Sequence, residues 1–231
     1  MAFEDFPIEA FPVEALRWRL LGMSASGGST LGGPGQDAEF DGGGWWCAEM
    51  TGIDLGDGQA IRNMRALLLR SRGGVGRWVV RMVDDALVVL PPPVPHDDES
   101  PFDDDSLYDG NAIAATLVDD VGLRGTSYRI QCSIALTGGE AFSLTHPVHG
   151  RRIYMIAKID EPEEGDAEDH YRVFALPALR EAALAGDECD FDRPSCVMKL
   201  VDPGAESWPT VTPGIEAKAA LRFEEAFDIL T

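Results

Sequence analysis

The sequence predicts a mainly β protein (α+β) with one helix, and three stretches decide this. Ile215 to Phe223 alternates Ile215, Ala217, Ala219, Leu221 and Phe223 with Glu216, Lys218, Ala220 and Arg222, the period of a strand with one buried face. Thr137 to Lys158 holds two strand-like runs, Ala141 to Thr145 and Arg152 to Ile159. They flank a turn containing Pro147 and Gly150, which reads as a β-hairpin. In the N-terminal half, helical spacing is confined to Asp57 to Ser71, where Ile61, Met64, Leu67 and Leu68 recur on one side. Asp57 suits its N-cap and Gly73 its C-terminal stop.

Taken in order, residues 1 to 15 carry Pro7 and Pro12 among Phe3, Phe6, Ile8, Phe11 and Val13, an extended apolar arm. It packs on its own core or on a neighbouring subunit. Leu16 to Met23 reads as a strand, followed by a Gly- and Ser-rich loop to Gly44. That loop lacks the Lys and Ser or Thr of a phosphate-binding P-loop, so it is a flexible connection. Gly44 to Met50 is a short strand with aromatic weight. After the helix, Arg77 to Val83 and Ala86 to Leu90 form a second hairpin turning at Asp84 and Asp85. Pro91, Pro92, Pro93 and Pro95 end it. Further strands are expected at Tyr128 to Ile134, Tyr171 to Ala175 and Val197 to Val201, whereas Leu176 to Ala185 is either a short helix or the rim of a small barrel. The closing strand returns to complete the N-terminal sheet. The expected division is residues 1–95 with 197–231 as one β domain, 96–126 as an acidic, Pro-rich linker, and 127–196 as a small inserted β domain.

The 231 residues are 45% hydrophobic, enough for a packed core, and 40 acids against 19 bases give a net charge of -21. Such a charge resists nucleic acid phosphates and anionic membranes. No apolar run is long enough to span a membrane, and the N-terminus lacks a basic segment followed by an apolar one. Cys47, Cys132, Cys189 and Cys196 are too scattered for a disulfide framework or zinc site. The spacing of Cys189 and Cys196 leaves a bridge open, although a reducing cytoplasm disfavours it.

No residue is assigned to catalysis, cofactor binding or a metal. His146 and His149 are three apart, but Pro147 disfavours the helix that would make them face one ligand, and His96 and His170 stand alone. Asp97, Asp98, Glu99, Asp103, Asp104 and Asp105 lack the alternating ligand spacing, Gly and closing Glu of a calcium loop. Among 40 acids, a carboxylate pair carries no signal for glycoside hydrolysis. Ser143 and Ser207 lack a nucleophile elbow. Trp45, Trp46, Trp78, Trp208, Tyr108, Tyr128, Tyr154 and Tyr171 would serve either as core or as a sugar-stacking platform.

In sequence order, LRWRLLGM, GGWWCAEMTGIDL, IRNMRALLLRSRGGVGRWVV, EAFSLTHPVHGRRIYMIAKI, FALPALREAALAGD and the closing strand with Phe223 and Phe227 cover most of the chain. In this order the chain resembles the distal tail proteins of long-tailed phages and of gene-transfer-agent-like particles of alphaproteobacteria. It departs from them in the acidic stretches at 96–109 and 161–170. The resemblance implies a β-sandwich or split-barrel ring domain with one helix and a small inserted β-barrel-like domain. It further implies a hexameric ring at the virion tail tip, assembled in the host cytoplasm. Its partners would be tail tube, tail hub and tail fibre proteins, with no specific nucleic-acid binding, no membrane and no cofactor. The competing class is a carbohydrate-binding module for host recognition.

Overall fold

The computed structural model describes residues 3–26, 37–39, 43–83, 113–160, 167, 169–201, 207–209 and 217–227. In chain order the strands are β1 (Glu4–Asp5), β2 (Ala15–Leu21), β3 (Ser24–Ser26), β4 (Asp37–Glu39), β5 (Trp45–Leu55), β6 (Arg77–Arg81), β7 (Ala115–Leu117), β8 (Ser127–Cys132), β9 (Ala141–His146), β10 (Gly150–Asp160), β11 (His170–Leu176), β12 (Ser195–Leu200) and β13 (Ala217–Glu225). The helix α1 spans Gly58–Arg70. The chain is mainly β, as expected, and divides into two units. Residues 1–82, 147–152 and 195–231 form the first, and 83–146 with 153–194 the second.

The first unit is built on a six-stranded sheet in the order β1-β6-β12-β13-β5-β2. The alternation of β13 is realised in full, with Ala217, Ala219, Leu221 and Phe223 buried and Lys218 and Arg222 exposed. It lies between β12 and β5, so the end of the chain completes the N-terminal sheet. β5 runs well past the expected Met50. It continues because Thr51 and Gly52 oppose the single residue Ala220 in a bulge, and Gly52 has a φ of +64. The apolar arm packs on its own core: Phe6 and Phe11 are buried, and Phe6 lies 5.0 Å from the Phe223 ring and 6.2 Å from Trp78. The described neighbours of β6 are β1 and β12. The second arm expected at Ala86 to Leu90 lies outside the described residues.

The central hairpin forms as β9 and β10, joined by a three-residue loop and by Gly150 at φ +70. A Cβ on Gly150 would lie 2.9 Å from both Phe3 and Val197. The tip is therefore packed within the first unit, and Arg152 pins it there. Arg152 is 2% exposed, donates to the carbonyls of Ala226 at 2.6 Å and Val197 at 3.0 Å, and lies 3.6 Å from Glu225. Glu225 also accepts from the Trp46 N–H at 3.2 Å.

In the second unit a sheet in the order β7-β8-β11-β10-β9 encloses Tyr128, Phe142, Tyr154 and Phe191, whose rings pack 5.2 to 6.1 Å apart. Flat, its outer strands would stand roughly 19 Å apart. Yet Cys189 N–H donates to Ala115 on β7, and the next residue, Asp190, exchanges two hydrogen bonds of 2.9 Å with Ser143 on β9. Consecutive residues reaching both edges mean that the sheet is curled and tied closed. Leu176 to Ala185 is the rim, not a helix: Ala183 bridges Val121, and Leu179 pairs with Arg124 and Gly125. Within the expected linker at 96–126, residues 113–126 carry β7 and these rim contacts, while 96–112 lie outside the described residues.

Candidate functional site

Residues 58–81 hold six arginines, Arg62, Arg65, Arg70, Arg72, Arg77 and Arg81, and no Asp or Glu. In a chain with twice as many acids as bases, that run stands out, and the fold brings three of the six, Arg70, Arg72 and Arg77, around one recess. Asp57 Oδ1 accepts from the Ala60 N–H at 2.7 Å and starts α1 as expected. Met64, Leu67 and Leu68 face inward, which leaves Arg62, Arg65 and Leu69, at three- and four-residue offsets, on one exposed side.

Past the helix, the Ser71 hydroxyl donates to the Leu67 carbonyl at 2.9 Å and accepts from the Trp78 indole N–H at 3.0 Å, tying the turn to β6. Arg70 sits 5.0 Å above the Trp78 ring and pairs with Glu4. Arg77 Nη1 donates to the carbonyls of Gly74 at 3.0 Å and Val75 at 2.7 Å. The expected stop glycine, Gly73, has a φ of 66, but the preceding Arg72 is also left-handed at φ 47. That conformation costs a side chain about 1 kcal/mol relative to glycine. Arg65 and Arg72 make no ion pair among the described residues. A recess of about 570 Å³ opens between Glu4, Arg70, Arg72, Arg77, Leu69, Val75 and Trp78. Leu69 and Val75 are 68% and 55% exposed.

The residues weighed for chemistry lie elsewhere and do not converge. His146 is buried, its Nε2 2.8 Å from the Tyr154 hydroxyl, which also accepts from the Arg180 N–H at 3.2 Å. His170 is 3.9 Å from Asp169, His149 is half-buried, and His96 lies outside the described residues. Among the described residues no group of three His, Cys, Asp or Glu side chains is placed to hold a metal. Ser143 and Ser207 are buried, and no hydrogen bond to a histidine is described for either. The bridge left open between Cys189 and Cys196 is absent: none of the four cysteines is in a disulfide and all are buried, Cys189 in the core of the second unit and Cys196 in the first. Burial pushes the Cys47, Cys132 and Cys189 thiols up, away from reactive thiolate. Of the aromatic candidates, Trp46, Trp78, Tyr128 and Tyr154 are core, Trp45 and Tyr171 are half-buried, Trp208 is exposed, and Tyr108 lies outside the described residues.

Among the described residues no helix is long and apolar enough to cross a membrane. No protein-family model matches the chain, and no curated protein matches its sequence. The arginine face was missed because charge was read over the whole chain, where 40 acids hide it. Counting charge by segment finds it.

Proposed function

We propose that this chain is a structural ring subunit at the distal end of a phage-like tail. It joins the tail tube to the hub and fibre-bearing proteins and lines the channel through which DNA leaves. The observation that carries this reading is the division of charge. By sequence the first unit holds 13 Lys and Arg against 16 Asp and Glu, a net -3, whereas the second holds 6 against 24, a net -18. A chain with an arginine face on one unit and most of its acid on the other is suited to contact copies of itself head to tail. Heterologous contacts of this kind close into rings when the rotation allows.

In this reading the first unit is the ring-forming domain, a sandwich or split barrel, and the second is the inserted barrel-like domain of a virion protein assembled in the host cytoplasm. Its role is structural rather than catalytic. Acid facing the channel keeps DNA from adhering as it passes. The carbohydrate-binding alternative loses support because four of its eight stacking candidates are buried.

Light scattering of the purified chain at low ionic strength, with negative-stain images of the same sample, tests this. Closed rings of about six copies are expected. A monomer at every concentration and salt would overturn the reading.

A further inference from the structure

We infer that the recess beside α1 is the docking site for the acidic, aromatic segment 97–109 of this chain, donated by the neighbouring copy. The donation between copies rests on the ring reading above, whereas the recognition chemistry stands on the recess itself. Its walls hold Arg70, paired with Glu4, Arg77, bonded to the carbonyls of Gly74 and Val75, and Arg72, which makes no ion pair among the described residues, beside the exposed Leu69 and Val75 and over Trp78. At about 570 Å³ it falls within the roughly 300–1,000 Å³ of clefts that hold ligands, room for a few side chains. An occupant must therefore bring carboxylates and apolar groups together.

Residues 97–109, DDESPFDDDSLYD, carry seven acids with Phe102, Leu107 and Tyr108 between them. The other acidic run, 161–169, has six acids and no aromatic side chain, so it would satisfy the arginines and leave Leu69 and Val75 uncovered. Guanidinium groups take carboxylates in paired hydrogen bonds, while the aromatic rings cover the apolar wall.

Arg72 supplies a second, independent observation. It occupies a left-handed position that glycine would fill without strain, although Gly73 and Gly74 stand beside it. Arg72 is also exposed and makes no ion pair among the described residues, so its guanidinium is open to a carboxylate.

The test uses a full-length chain whose seven acids at 97–109 are changed to Asn or Gln, which removes the resident competitor. A fluorescent peptide of residues 96–109 is titrated into it and followed by anisotropy. The peptide is expected to bind and to weaken as salt is raised. Arg72→Gly should weaken it about fivefold, the upper range for one exposed ion pair. Arg72→Gly also relieves the backbone, so its Tm should hold or rise while binding falls, which no folding defect would produce. No binding, equal binding of a 161–169 peptide, or binding indifferent to Arg72→Gly would each overturn the inference. Light scattering on wild type separates the two readings. Rings with no peptide binding sink the docking site and leave the ring, whereas a monomeric wild type with peptide binding sinks the ring and leaves the docking site.

Discussion

The Glu140 carboxylate is buried, and it accepts from the Thr137 N–H and hydroxyl at 2.6 Å each and from the Gly138 N–H at 2.7 Å. Burial pushes its pKa up, but the hydrogen bonds from Thr137 and Gly138 outweigh this and hold it below the ordinary value. A depressed folded-state pKa contributes stability above the unfolded value, about 4.3, and that stability is lost as pH falls through the folded one. Glu140→Gln should therefore melt below wild type near neutral pH, with the gap closing below about pH 4. A gap independent of pH in thermal melts would refute this. Residues of this sort are the least legible from sequence. Arg152 reads as one of two adjacent strand arginines, yet it is 2% exposed because its carbonyl partners at Val197 and Ala226 lie 45 and 74 residues away. Nothing local encodes such a contact.

Elements were legible where one local pattern decides them. Asp57 capping α1, the buried stripe of Met64, Leu67 and Leu68, and the alternation of β13 each follow from a few adjacent residues. Leu176 to Ala185 was not decided by its sequence, because it pairs through isolated contacts such as Ala183 with Val121 and has no strand period of its own. The tie at Asp190 belongs to the same class. It satisfies β9, which would otherwise present an open edge inviting another chain. Asp190→Pro removes the N–H donated to the Ser143 carbonyl and should destabilise the second unit by about 1–3 kcal/mol, the cost of orphaning a buried acceptor. Hydrogen exchange gives the sharper readout. The Ser143 amide, 2.9 Å from the Asp190 carbonyl, should lose protection, while Val173 on β11, central in the sheet, keeps more of its own. Uniform loss at both positions would mean that the tie does not close this edge.

For the whole molecule, the net charge of -21 led correctly to strong acidity and hid where it lies: -18 in one unit and -3 in the other. The two parts of this distribution respond to salt in opposite directions. Like charges crowded within the second unit repel, so screening them favours its folded state. In the proposed ring the arginine face would attract acid on another copy, so the same screening would weaken assembly. Raising ionic strength from about 10 to about 150 mM shortens the screening length from roughly 30 to roughly 8 Å, enough to expose both effects. Because assembly itself raises Tm by mass action, the melting series must be run below the association concentration. Under those conditions Tm should rise with salt, whereas the mass of the concentrated sample should fall. Arg65→Glu should flatten the second trend with little effect on the first, since Arg65 is exposed and makes no ion pair among the described residues. If mass instead grows with salt, apolar contact, not the arginines, holds the copies together.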